Sequence, residues 1–264
     1  MNSIVAEAET VATCVLPSLP PKLDRLWETI LDIGQALSID SWMLVGGQMV
    51  MLHGLIAGRV MTRATNDIDV LAAVLLPPAK PKLSDCVRTV KELGFKPLEA
   101  NEPDLLHRFV HPDDGAIIDI LAPDHQSWPP IIKQPRATVR IDGGTQALQR
   151  AQTVRVTKST RTVEIAIPSL LGALILKAAA FRTEKLRPER HVSDAAFLAS
   201  LITDPIGVKA QFKGSDYGRI LFLDRDLADP EQSAWMALGE YREDAVAVWR
   251  ILRQPPPNPQ IIKV

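Results

Sequence analysis

The chain has 264 residues, of which 46% are hydrophobic and 23% charged, and its formal net charge is −1. That is enough apolar material for one large core or two modest ones. Neither a membrane segment nor a secretory leader is expected, because no apolar run is long enough to cross a bilayer and Met1–Leu16 lacks a basic start and carries Glu7 and Glu9; the location expected is cytoplasmic.

In chain order, the first expected element is a helix over Lys22–Leu37. Trp42, Met43, Leu44 and Val45 then form a short buried strand, Gly46 and Gly47 follow at once, and Gln48–Ile56 reads as a helix. A strand, a glycine turn and a helix N-terminus leave unpaired backbone N–H groups beside a positive dipole end. The missing side chains let a phosphate reach the backbone. The turn is neither a P-loop, which ends in GK[ST], nor a GxGxxG fingerprint. Steric needs alone also close such turns with glycine pairs.

Asp67, Ile68, Asp69 and Val70 read as a strand, on which alternate residues point the same way. Two carboxylates on one pleat repel each other, and a hard divalent cation is the usual compensation. A strand edge with one aspartate capping a turn and the other solvated gives the same spacing.

The order of Gly46 and Gly47, then Arg63, Thr65, Asp67 and Asp69, GG…RxTxDID, resembles the polymerase-β-like nucleotidyltransferase superfamily, in particular the bacterial AbiEii-like and MenT-like toxin nucleotidyltransferases. The resemblance implies an α/β (α+β) core with a mixed sheet, followed by a mainly helical C-terminal domain. It implies a nucleoside triphosphate cradled by Gly46, Gly47, Arg63 and Thr65. It also implies Mg²⁺ or Mn²⁺ on Asp67 and Asp69, with a third carboxylate from a neighbouring strand. The chain departs from the common pattern in its long spacer between Gly47 and Asp67, and in Gln48, where many relatives place a hydroxyl residue.

Beyond the second aspartate, Leu76–Pro81 reads as a loop and Leu83–Leu93 as a helix, with strands near Phe109, Ile118, Val139, Val154 and Ile165. Asp119 sits alone in the apolar run Ala116–Leu121, an expensive place for an unpaired carboxylate. It is the candidate third metal ligand, and a solvent-facing rim position is the alternative. Asp113 and Asp114 look like hairpin-turn residues. Lys133, Arg136, Arg140, Arg150, Arg155, Lys158 and Arg161 fall in a stretch whose only acid is Asp142, and they can attract an RNA backbone if they line a cleft.

After Pro168 the patterns turn helical, over Leu170–Phe181, Ser193–Leu201, Gly218–Leu223 and Ala234–Leu252, with a proline-rich tail from Gln254. The division expected is a nucleotidyltransferase core over 1–167, a helical domain over 168–253 and a tail over 254–264. Lys177 is a lone cation among leucines and alanines, so it either snorkels to the surface or pairs with an anion. The segment Leu170–Leu201 resembles the helical motif of the same toxins, which implies active-site roles for Lys177 and Asp194 and a nucleotide contact for Arg182.

The expected reaction is transfer of NMP from an NTP to an acceptor hydroxyl, with two Mg²⁺ about 4 Å apart lining up attack and departure. The toxin resemblance implies an RNA acceptor, a tRNA 3′ end, and a cognate antitoxin protein as partner. The alternatives are a small-molecule enzyme of aminoglycoside type and a catalytically inactive binding relative. Aromatics are 5% of the chain, so no base-stacking platform is indicated. The histidines show no zinc spacing, Cys14 and Cys86 suggest no disulfide framework, and no GxSxG elbow supports serine hydrolysis.

Overall fold

The computed structural model of the chain describes residues 11–60, 65–73, 82–99, 104–125, 131–133 and 136–255. In chain order these form β1 (Ala12–Val15), α1 (Pro21–Ala36), β2 (Trp42–Val45), α2 (Gly46–Ile56), β3 (Asp67–Ala72), α3 (Lys82–Glu92), β4 (Lys96–Pro97), β5 (Arg108–Val110), β6 (Ile117–Pro123), β7 (Ile131–Lys133), β8 (Arg136–Ala137), β9 (Val139–Ile141), α4 (Gly144–Leu148), β10 (Ala151–Lys158) and β11 (Arg161–Pro168). The elements after Pro168 are helical: α5 (Leu170–Thr183), α6 (Glu189–Ser200), α7 (Pro205–Ala210), α8 (Asp216–Leu227), α9 (Ser233–Met236) and α10 (Arg242–Leu252). An α/β core with a mixed sheet, followed by helices, is the expected architecture.

The main sheet runs β2-β3-β6-β5-β4, with β9 alongside the second half of β6. The β3–β6 and β6–β9 pairs are parallel, and the β2–β3, β6–β5 and β5–β4 pairs are antiparallel. A separate sheet joins β1, β10 and β11. The polar-apolar alternation of β3 decides which way it faces. Ile68, Val70 and Ala72 enter the main core, on which α1 and α3 pack, and the opposite pleat is left to Asp67 and Asp69. α1 opens with Pro21, whose missing N–H is harmless in a first turn, and buries a stripe of Leu26, Trp27, Ile30, Leu31 and Ile33.

α5 is apolar on all sides and is buried from Leu171 to Ala179, because β11, α2, α4, α6 and α8 all pack against it. Apolar side chains from Cys14 to Leu252 form one connected core, so the change from strands to helices at Pro168 falls inside that core. Trp27, Trp42, Trp235 and Trp249 are fully buried anchors.

The single helix expected over Ala234–Leu252 is broken into α9, a 3₁₀ turn at Gly239–Tyr241 and α10, with Gly239 at φ +58°, a conformation that only glycine adopts without strain. α6 begins at Glu189, before the expected start, and so takes His191 into the helix. The Leu76–Pro81 loop, Arg63 and residues 256–264 of the tail lie outside the described residues. Among the described residues, no helix is long and apolar enough to cross a membrane.

Candidate functional site

Because β2 runs antiparallel to β3, its last residue, Val45, lies opposite Asp69 near the start of β3. The chain leaves β2 straight into α2, so the N-terminus of α2 arrives beside the carboxylates. Gly46 has φ +70°, and a Cβ there would fall on the Asp69 carboxylate; a Cβ on Gly47 would fall on Thr65 Oγ1. Glycine is therefore required at Gly46 by backbone conformation and at both positions by close approach. Among the described residues no side chain caps α2, which leaves its first amides open to a ligand.

Parallel register sets Asp119 beside Asp69, and antiparallel register sets Arg108 beside Asp119. Val45, Asp69, Asp119 and Arg108 thus form one row across four strands. Thr65 Oγ1 donates to Asp67 Oδ1 at 2.8 Å. Arg108 donates to both oxygens of Asp119, from Nε to Oδ1 at 2.8 Å and from Nη2 to Oδ2 at 2.7 Å. The hydrogen bonding to Asp119 holds the guanidinium above its ordinary pKa.

Asp69 is pushed up to about 7, first by burial and then by the charges of Asp67 and Asp119, against the opposing pull of Lys177 and Arg190. A carboxylate under that negative load is where a divalent cation stabilises most. Its hard oxygens, with those of Asp67, suit Mg²⁺ or Mn²⁺. Among the described residues no three His, Cys, Asp or Glu side chains gather to cage an ion by themselves. Asp67 and Asp69 could thus supply only part of a ligand set for such an ion, the remainder falling to substrate oxygens and water.

The opposite wall comes from α5 and α6. Lys177 Nζ lies 2.8 Å from Asp194 Oδ2, and both residues are buried. Lys177 pairs with an anion rather than snorkelling because the turns on either side of it are buried too. Arg190 pairs with Glu184 at 2.9 Å and donates from Nε to His191 Nε2 at 3.4 Å. Burial, and then Lys177 and Arg190, hold His191 down to about 3, so its ring is neutral.

Gly46, Gly47, Thr65, Asp67, Asp69, Asp119, Lys177 and Asp194 line one cleft of about 480 Å³. Arg182 does not. It is exposed and pairs with Asp142, whose side chain does reach the cleft. Gln48 is fully buried and donates to the Thr65 carbonyl at 3.3 Å, so it braces Thr65 from behind the cleft. Sequence reasoning passed over Arg108 and Glu184. The available signal for Arg108 was an arginine next to Phe109 in a short strand, where alternation sends the two side chains to opposite faces.

The basic stretch is redistributed. Arg140 lines the cleft, but Arg150 is buried against Asp216, Arg155 pairs with Glu164, and Lys158 and Arg161 reach Asp24, Glu28 and Asp32 on α1. Acids distant in sequence thus absorb most of the expected basic face.

No family model and no curated protein matches the chain. Among solved structures, an antigenic nucleotidyltransferase-like protein from Paracoccidioides brasiliensis aligns over 89% of this chain and 95% of its own, at 14% identity and a TM-score of 0.46. At that level the likeness carries no argument about function, which rests on the geometry of the cleft.

Proposed function

We propose that the chain is a nucleotidyltransferase that moves NMP from an NTP to an acceptor hydroxyl and releases pyrophosphate. The observation that carries this reading is the convergence of the Gly46–Gly47 turn, the Asp67–Asp69 pair and Lys177 on one cleft. In the reaction the acceptor hydroxyl oxygen bonds to the α-phosphorus as the bond to the pyrophosphate oxygen breaks, and the hydroxyl proton passes to water. The open amides of α2 bind phosphate oxygens, and the absence of side chains at Gly46 and Gly47 allows the approach. Lys177, oriented by Asp194, adds a fixed positive charge that stabilises the leaving pyrophosphate. Asp67 and Asp69 are the residues that would hold Mg²⁺ or Mn²⁺, which when bound neutralises phosphate charge and activates the attacking oxygen. Thr65 fixes the orientation of the Asp67 carboxylate. Neutral His191 binds no proton to pass on at neutral pH.

For the acceptor we propose an RNA end, a tRNA 3′ end, with the chain acting as the toxin of a toxin-antitoxin pair. Arg140 and Arg190 on the cleft wall, with the exposed Lys185 and Arg187 between α5 and α6, supply cations for a nucleic-acid backbone. A second reading, a cationic small molecule of aminoglycoside type, is favoured by Asp142 and Glu184, two further acids in the same cleft. Incubation with each labelled NTP, Mg²⁺, total tRNA and an aminoglycoside panel separates the two. Label in tRNA supports the first reading, label in the small molecule supports the second, and absence of label from every acceptor and of pyrophosphate release contradicts both.

A further inference from the structure

The geometry points to Arg108 as a resident cation for Asp119, so that the resting cleft takes a single divalent ion, on Asp67 and Asp69, rather than two. This rests on the proposed nucleotidyl-transfer site. Asp119 is the residue that register places to complete a two-ion cluster, yet both its oxygens already accept from the Arg108 fork. The pairing is built into the backbone, because Arg108 and Asp119 are direct cross-strand partners at the centre of the sheet. The Asp119 side chain is only 9% exposed, and a carboxylate so buried is expensive to leave unpaired. Thr65 engages one oxygen of Asp67, which leaves the other for an ion, and no hydrogen bond holds the Asp69 carboxylate among the described residues. The oxygens open to a cation thus lie on Asp67 and Asp69. A guanidinium against Asp119 repels a second dication from the same place. Arg108 is thus a positioning residue, whose charge neutralises Asp119 in place of a second ion.

The test is a Mn²⁺ titration followed by electron paramagnetic resonance, on the full chain without nucleotide. The wild-type chain is expected to take one Mn²⁺, Arg108→Met to take two because Asp119 is released, and Arg108→Met with Asp119→Asn to return to one. Two ions on the wild-type chain, or one on the Arg108→Met chain, would overturn the inference while leaving the proposed function standing. No Mn²⁺ on the wild-type chain contradicts the proposed function itself. If Arg108→Met alone does not fold, the double variant decides, since it removes both charges together: one ion retained supports the inference, and none shows that Asp119 is a ligand.

Discussion

Gly46 lies against the Asp69 carboxylate so closely that a single methyl group would occupy the same space. This contact joins the helix N-terminus to the acidic strand, and it makes Gly46 the most sensitive backbone position of the cleft. Gly46→Ala is expected to force a non-glycine residue to φ +70° and to push Asp69 aside. The backbone conformation alone costs about 1–2 kcal/mol. The prediction is a lower urea midpoint together with weaker NTP binding; unchanged binding would show that the elbow does not shape the site.

The Lys177–Asp194 pair separates stability from function. Asp194→Leu leaves a buried ammonium unpaired, which is expected to cost about 3–5 kcal/mol in equilibrium unfolding. Adding Lys177→Met should recover most of that loss, because both charges are then gone, while nucleotidyl transfer stays abolished. Recovery of transfer along with stability would reduce the pair to a structural role.

Thr65 acts through Asp67. Thr65→Val removes the 2.8 Å hydrogen bond to Asp67 Oδ1 and little volume. A small stability change of about 1 kcal/mol is expected, together with a drop of roughly 10–100-fold in Mn²⁺ affinity, the usual effect of losing a partner that orients a metal ligand. Equal affinity in the two proteins would mean that Asp67 does not ligate.

His53 sets a pH dependence. It is buried, with Nε2 donating to the Pro168 carbonyl at 2.9 Å, and burial lowers it from 6.5 to about 4 despite that bond. The folded state therefore binds fewer protons than the unfolded state between those values. The neutral histidine costs nothing above pH 6.5, and stability is lost as pH falls toward 4. Between pH 7 and pH 5 the loss is about 2 kcal/mol. Other groups cancel when the stability of His53→Gln, which keeps a donor for Pro168, is subtracted at each pH. A difference that does not change with pH would show that His53 keeps its ordinary pKa in the fold, and wild-type stability that falls relative to the variant as pH rises would show that the fold holds it protonated.

Local pattern exposed much of this design. The strands around Leu44, Val70, Phe109, Ile118, Val139, Val154 and Ile165 were each legible as short apolar or alternating segments, the helices from Pro21 and Lys82 by period, and the helix from Leu170 by the length of its apolar run. Adjacent residues give away the glycine elbow and the Asp67–Asp69 pleat, because both depend on spacing within one segment. Pairing across segments was not legible. No property of Arg108 alone names Asp119 as its partner, and the register of β5 on β6 decides it. The basic stretch misled for the same reason, since the acids that bind Lys158 and Arg161 lie on α1, more than a hundred residues earlier. β1 is a four-residue strand, too short to show a period, and is held by pairing with β10.

On the proposed function the elbow and the acidic strand form one cation-dependent nucleotide site. Calorimetric titration with a non-hydrolysable NTP analogue, with and without Mg²⁺, on the wild-type chain and on Asp69→Asn, tests it most directly. Binding that needs Mg²⁺, and that weakens by about 100-fold or more in Asp69→Asn, is the predicted result. Binding indifferent to both Mg²⁺ and the substitution, or no binding at all by the wild-type chain, would contradict it.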